Sequence, residues 1–141
     1  MKKMGLVLVA VLMLVLVAGC GKKQTLSCTQ TPEGYIIEFN IGFKGNMVET
    51  MDYKYDADLS AYNDSDIETL GKNDFCSSIK DSMEDYKDAF ENCKQQIANK
   101  HLLLTAELNV DKIAKNTFEK MGSINDAKKE LEAQGFACTI K

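Results

Sequence analysis

Tyr35-Ile36-Ile37-Glu38-Phe39-Asn40-Ile41-Gly42-Phe43 decides the fold, together with Met47-Val48-Glu49-Thr50-Met51-Asp52-Tyr53-Lys54-Tyr55-Asp56 just beyond it. In the first segment Tyr35, Ile37, Phe39, Ile41 and Phe43 recur at period two, which lines up large apolar side chains on one face of a strand. In the second, Met47, Met51, Tyr53 and Tyr55 continue that face, with Thr50, Asp52, Lys54 and Asp56 opposite. Lys44-Gly45-Asn46 links the two as a short hairpin. An antiparallel sheet follows, buried on one face and wet on the other.

Working outward, Leu26, Cys28 and Gln30 alternate with Ser27 and Thr29 on a first strand, and Pro32-Glu33-Gly34 has turn residues. After Asp56 the chain is acidic and polar to Asp66. There Ser65-Asp66-Ile67-Glu68 matches a capping box. Ile67, Phe75, Ile79, Met83, Tyr86 and Phe90 then predict an amphipathic helix able to cover the sheet, ending between residues 83 and 97. Gly71 weakens it by about 1 kcal/mol relative to alanine. Leu102, Leu104, Ala106, Leu108 and Val110 predict another strand, with Lys94–Ala98 as a candidate partner across Asn99-Lys100. Asp111–Phe118 reads as a short helix. A second capping box at Ser123–Asp126 starts a helix that ends at Gly135, and Phe136, Cys138 and Ile140 close on a short strand. The expected fold is α+β: an antiparallel β-sheet packed on one face by an amphipathic helix plus a shorter C-terminal helix.

The first twenty residues have a different character. Lys2 and Lys3 precede Leu6–Ala18, which is apolar throughout. A run of about thirteen residues makes roughly 20 Å of helix, against a bilayer core of about 30 Å. It suits a signal-peptide core better than a membrane span. Val17-Ala18-Gly19-Cys20 resembles the bacterial lipobox, whose cysteine is acylated before the leader is cut away. The expected organisation is a lipoprotein signal peptide over 1–19, the lipidated Cys20 with a tether to residue 24, and one α+β domain over 25–141. Removing 19 of the 141 residues leaves 122, enough for a real core. The leader holds two lysines and no acid, so the formal charge moves from −4 to −6. That balance argues against a nucleic-acid partner and against electrostatic adhesion to anionic lipid.

Four cysteines remain: Cys28, Cys76, Cys93 and Cys138. An even count in an exported domain implies disulfides, in one of three connectivities. Cys28 and Cys138 share the buried parity of the two terminal strands, which favours pairing them. Cys76–Cys93 then requires a broken helix, because seventeen residues of straight helix rise about 25 Å and a disulfide needs α-carbons within about 7 Å. If the helix is straight, each of these two staples it to a sheet cysteine instead.

No other constellation carries chemistry. Asp56, Asp58, Asp64, Asp66 and Glu68 are the nearest approach to a metal site. Counted from Asp64, however, a calcium loop would place Thr69 at its glycine position and Phe75 at its glutamate position. His101, the only histidine, has no evident partner. Tyr35, Tyr53, Tyr55, Tyr62 and Tyr86 read as core packing rather than a ligand groove. We expect no catalytic residues, no metal and no cofactor.

Ala18-Gly19-Cys20-Gly21, Phe43-Lys44-Gly45-Asn46-Met47-Val48, Leu108-Asn109-Val110-Asp111-Lys112-Ile113 and Gln134-Gly135-Phe136 carry a resemblance to the YehR-like small bacterial lipoproteins. That family has no assigned biochemical function. The resemblance implies a lipid-anchored α+β domain and transfers no catalytic residue. The four non-lipid cysteines are not part of its pattern. The expected function is a membrane-anchored extracytoplasmic lipoprotein at the cell membrane, held by lipid on Cys20. It would act as a non-catalytic binding or accessory module for an envelope or extracellular protein; the alternative is a small-ligand or metal-ion receptor.

Overall fold

The computed structural model describes residues 21–82, 84–113 and 122–141. They form one antiparallel sheet of six strands: β1 (Lys23–Gln30), β2 (Tyr35–Lys44), β3 (Met47–Asp58), β4 (Phe90–Ala98), β5 (His101–Leu108) and β6 (Ala137–Ile140). The spatial order is β4-β5-β3-β2-β1-β6. Helices α1 (Asp64–Leu70), α2 (Phe75–Ser82) and α3 (Ile124–Ala133) pack on it, with 3₁₀ turns at Glu84–Ala89 and Val110–Lys112. The fold class is the one read from sequence. The leader expected over 1–19, Cys20, Met83 and the far part of the short helix expected over Asp111–Phe118 lie outside the described residues.

Period two does most of the positioning. Phe39 sits opposite Cys28 on β1 and Tyr53 on β3, so one face gathers Leu26, Ile41, Phe43, Met51, Tyr53 and Leu104 into the core. The opposite face carries Ser27, Asn40, Asp52, Lys54 and Thr105. One irregularity interrupts the pattern. Gly42 pairs with Thr50 but Phe43 pairs with Val48, so Glu49 is an extra residue in a β-bulge. The bulge turns Val48 toward the core and Met47 out of it, leaving Met47 73% exposed rather than on the buried face. A Cβ at position 42 would collide with the Thr50 hydroxyl, which explains the glycine there.

β1 also starts earlier than expected. Lys23 and Gln24 pair with Lys44 and Phe43, and the Lys22 carbonyl accepts from Gly45 N–H at 3.1 Å. Residues 23 and 24, expected to belong to a tether, are therefore part of β1, because the hairpin edge offers their backbone groups partners.

The single long helix is broken. α1 ends at Gly71, and α2 begins after Asp74, whose carboxylate accepts from the N–H and hydroxyl of Ser77 (3.0 and 2.7 Å). The C-terminal helix, expected to be the shorter, is the longest of the three. The first cap also moves. Asn63 rather than Ser65 accepts from Asp66 N–H (2.9 Å) and donates back to the Asp66 carboxylate (2.7 Å). Asn63-x-x-Asp66 supplies the reciprocal pair two residues upstream, leaving Ser65 inside the helix. The Ser123–Asp126 box forms as expected, and Gly135 at φ 94° ends α3. Asn99 and Lys100, both at positive φ, make the two-residue turn whose twist suits a β4–β5 hairpin.

α1 and α2 bury no residue of their own. α2 is held by other means. Cys76 is bonded to Cys93 on β4, and the Gln95 side chain caps the helix from the same strand. Its carbonyl accepts from Phe75 and Cys76 N–H (2.9 and 3.3 Å), and its amide donates to the Asn73 carbonyl (2.8 Å). α3 buries Ile124 and Ala127 over β1 and β6. Beneath it Cys28–Cys138 closes the chain ends. Thr25 and Lys141 exchange both backbone hydrogen bonds (3.0 and 2.9 Å), so along the ladder Cys28 and Cys138 face each other at a non-hydrogen-bonded position. Opposed side chains are closest at such positions.

Candidate functional site

The end of the sheet where β2 begins and β3 finishes gathers exposed aromatic surface. Tyr35 stacks on Tyr55 with ring centres 5.5 Å apart. Tyr62, on the turn after β3, is 49% exposed, and Ile36 is exposed on the other face of the same strand end. Tyr55 lies close enough to both other phenols to sense them: it is pushed up by burial and then by the charges of Tyr35 and Tyr62. Tyr53, further down β3 and 6% exposed, is pushed up to about 12, chiefly by burial. Core packing thus describes Tyr53, but not Tyr35 or Tyr62. Tyr35 opens β2 at the edge of the buried face, and Tyr62 stands on the turn between β3 and α1.

Carboxylates rim this end without converging. Asp56 Oδ1 is 2.8 Å from His101 Nδ1, giving the histidine the partner that the sequence had not revealed. Asp58 accepts from Ser60 N–H and hydroxyl, which holds its carboxyl below the usual range. Asp64 lies 3.6 Å from Lys100, Glu68 lies 3.4 Å from Lys72, and Asp66 serves the α1 cap. Among the described residues, no three His, Cys, Asp or Glu side chains are placed to hold a metal ion. The four cysteines are used in Cys28–Cys138 and Cys76–Cys93.

A second feature is a shallow cleft of about 430 Å³ on the helix-free face, lined by Asn40, Asp52, Lys54, Asn92, Lys94, Thr105 and Glu107. Asp52 and Glu107 are direct cross-strand partners of like charge, an arrangement that destabilises a sheet. Burial, and then the Glu107 charge, push the Asp52 carboxyl up. Asn92, at φ 49° in a bulge of β4, donates to Glu107 at 2.8 Å.

No protein-family model matches the chain, and no curated protein is significantly similar to it. Solved structures are similar in fold. The E. coli YehR protein, solved by NMR, superposes with a TM-score of 0.54 at 12% identity, covering 84% of this chain and 92% of that one. The fold is YehR-like. A protein from Streptococcus pneumoniae TIGR4 gives a TM-score of 0.47 at 12% identity, covering 84% of each chain.

On this YehR-like fold several site-shaping residues lie off the sequence patterns. Asn92 resets the parity of β4, so Phe90 faces the core together with Cys93 and Ile97 although an odd number of positions separates it from them. Gln95 had no signal beyond its place in a polar run. No described helix is long and apolar enough to cross a membrane.

Proposed function

We propose that this protein is a lipid-anchored extracytoplasmic module of the cell envelope, without catalytic activity, that captures a partner protein through the Tyr35–Tyr55–Tyr62 end of its sheet. The exposed tyrosine cluster carries the reading. Tyrosines offer large, stiff contact area and are over-represented among residues that dominate interface energies. Six acids at this end, Glu33, Asp56, Asp58, Asp64, Asp66 and Glu68, favour a lysine- or arginine-bearing partner whose cations can also lie over the rings. Attachment at Cys20, next to the opposite strand ends, leaves the cluster pointing away from the bilayer.

A photo-crosslinking residue in place of Tyr62 is expected to trap one envelope protein, and the same residue in place of Thr139 to trap none. With that partner purified, Tyr35→Ala combined with Tyr62→Ala should weaken binding by about 30-fold or more, as expected for loss of an interface anchor worth about 2 kcal/mol. An identical adduct from both positions, or unchanged affinity, would sink the proposal.

The Asp52–Glu107 pair favours a second reading, a receptor for a small cationic ligand in the open-face cleft. Asp52 holds its proton more tightly in the fold than its ordinary value of 3.8. Its ionised form therefore opposes folding, and stability falls as pH rises from 3.8 through the raised value. Asp52→Asn should raise the melting temperature at pH 7 and leave it unchanged at about pH 3, where the carboxyl is protonated in both states. On this reading a ligand stabilises only the unsubstituted protein. Identical shifts for both proteins with divalent metals and amines would exclude it.

A further inference from the structure

The end of the sheet nearest Cys20 has the opposite character to the tyrosine end, and we infer that it is a membrane-contact surface for anionic lipid headgroups. Lys23, Lys44 and Met47 form one row across β1, β2 and β3 on the helix-free face. The bulge at Glu49 creates that row, since without it Met47 would lie on the core side. Lys22 is fixed beside it by the hydrogen bond from Gly45. The Lys44 side chain passes close to Gly21, within 3.8 Å of where a Cβ would stand. Two lysines, Lys23 and Lys44, thus share a face with an apolar side chain that is 73% exposed at a hairpin tip, and the Lys22 backbone is held at the same edge. Glu49 offsets one of them, 3.8 Å from the Lys23 ammonium.

The overall negative charge does not cancel this patch. β3 has twelve residues, which at about 3.3 Å each separate the basic row from Asp56 and Asp58 by roughly 30 Å. The Debye length at physiological salt is about 8 Å, so a headgroup at the basic end is screened from the acids at the other. A lysine near an anionic surface favours binding by about 1 kcal/mol, which is about fivefold in the docking equilibrium. Methionine supplies a flexible apolar tip that enters the interface without a fixed partner. Along β1, β2 and β3 the surface is polarised: basic and apolar toward the bilayer, acidic and aromatic away from it. The inference rests on the anchored reading for its geometry, but the contact itself requires only an anionic surface.

The test uses the full protein, purified from a bacterial host, with an environment-sensitive fluorophore attached through Met47→Cys or, as a control, Tyr62→Cys. It is mixed with vesicles of pure phosphatidylcholine or of equal phosphatidylcholine and phosphatidylglycerol. Flotation with the neutral vesicles reads the anchor; emission and quenching by lipid-borne quenchers read the contact surface. The Met47 probe should shift to the blue and be quenched on anionic vesicles only. The effect should fall about fivefold for each of Lys22→Gln, Lys23→Gln and Lys44→Gln, and disappear at salt of about 1 M. The Tyr62 probe should not respond. Flotation without any Met47 response overturns this inference and spares the anchor. A Met47 response on anionic vesicles without flotation on neutral ones supports the contact and removes the anchor.

Discussion

Replacing Cys28 and Cys138 together by alanine is expected to lower stability by about 4–5 kcal/mol. The bond closes a loop of 110 residues, and the chain-entropy cost avoided in the unfolded state rises with the logarithm of loop length. Both sulfurs lie in the core, Cys28 at 0% and Cys138 at 8% exposure, so the substitution also leaves the contact between β1 and α3 underfilled. Cys76–Cys93 spans seventeen residues and its cysteines are half-buried, so the same model gives at most about 3 kcal/mol there. The two bonds should also fail differently. α2 has no fully buried residue and meets the core only through the partly buried Ile79, so breaking Cys76–Cys93 frees a local unit, whereas Cys28–Cys138 is reachable only when β6 leaves the sheet. Mild reductant should therefore open Cys76–Cys93 first, with a smaller fall in the urea midpoint than loss of Cys28–Cys138 brings, and Cys28–Cys138 only with global unfolding. Simultaneous reduction, or an equal loss of stability from either pair of alanines, would show that the chain ends are not the critical clip.

What the sequence discloses follows physical lines. β2 and the central part of β3 are legible because one buried face forces strict alternation, and that pattern needs no knowledge of their neighbours. α3 is legible because its cap and its terminal glycine are local chemistry, complete within Ser123–Gly135. The region from Phe75 to Ala98 is not, since its conformation is decided by contacts far along the chain. Phe75, Ile79, Tyr86 and Phe90 fit a helical spacing that the chain does not follow as one helix: β4 takes over at Phe90, and Asn92 shifts its parity. Gln95 caps α2 from twenty residues away, a relation that no local motif encodes. The site divides in the same way. In the acidic stretch the helix start is legible but its cap falls on Asn63 and Asp66, and the pairing of Asp64 with Lys100 joins distant parts of the chain, while the exposure of Tyr35 and Tyr62 is set by tertiary packing. Met47 shows the limit most clearly: one extra residue in the bulge moves it from the core to the tip.

Cys20→Ser is expected to abolish both acylation and cleavage before residue 20. Wild-type protein should incorporate labelled palmitate and lose nineteen residues; the variant should take up no label and keep its leader. Two or more chains on one cysteine hold a protein stably whereas one chain is marginal, so label uptake and cleavage, rather than membrane retention of a variant that keeps its apolar leader, read the anchor. The short tether makes the test more demanding. With β1 starting at Lys23, only Gly21 and Lys22 would separate an acylated Cys20 from the sheet, a span of at most about 11 Å over three steps of 3.3–3.6 Å. The basic row is then held against the headgroups at a high effective concentration. About ten Gly-Ser residues inserted after Gly21 would let the domain range farther, so docking should weaken while anchoring persists. Comparing the natural chain with the lengthened one separates anchor from orientation: palmitate labelling unchanged, Met47 probe response reduced. If Cys20→Ser were still cut at the same bond and still held in the membrane, the lipid anchor would be wrong. The short reach that presses Lys23, Lys44 and Met47 to the bilayer would then lose its cause.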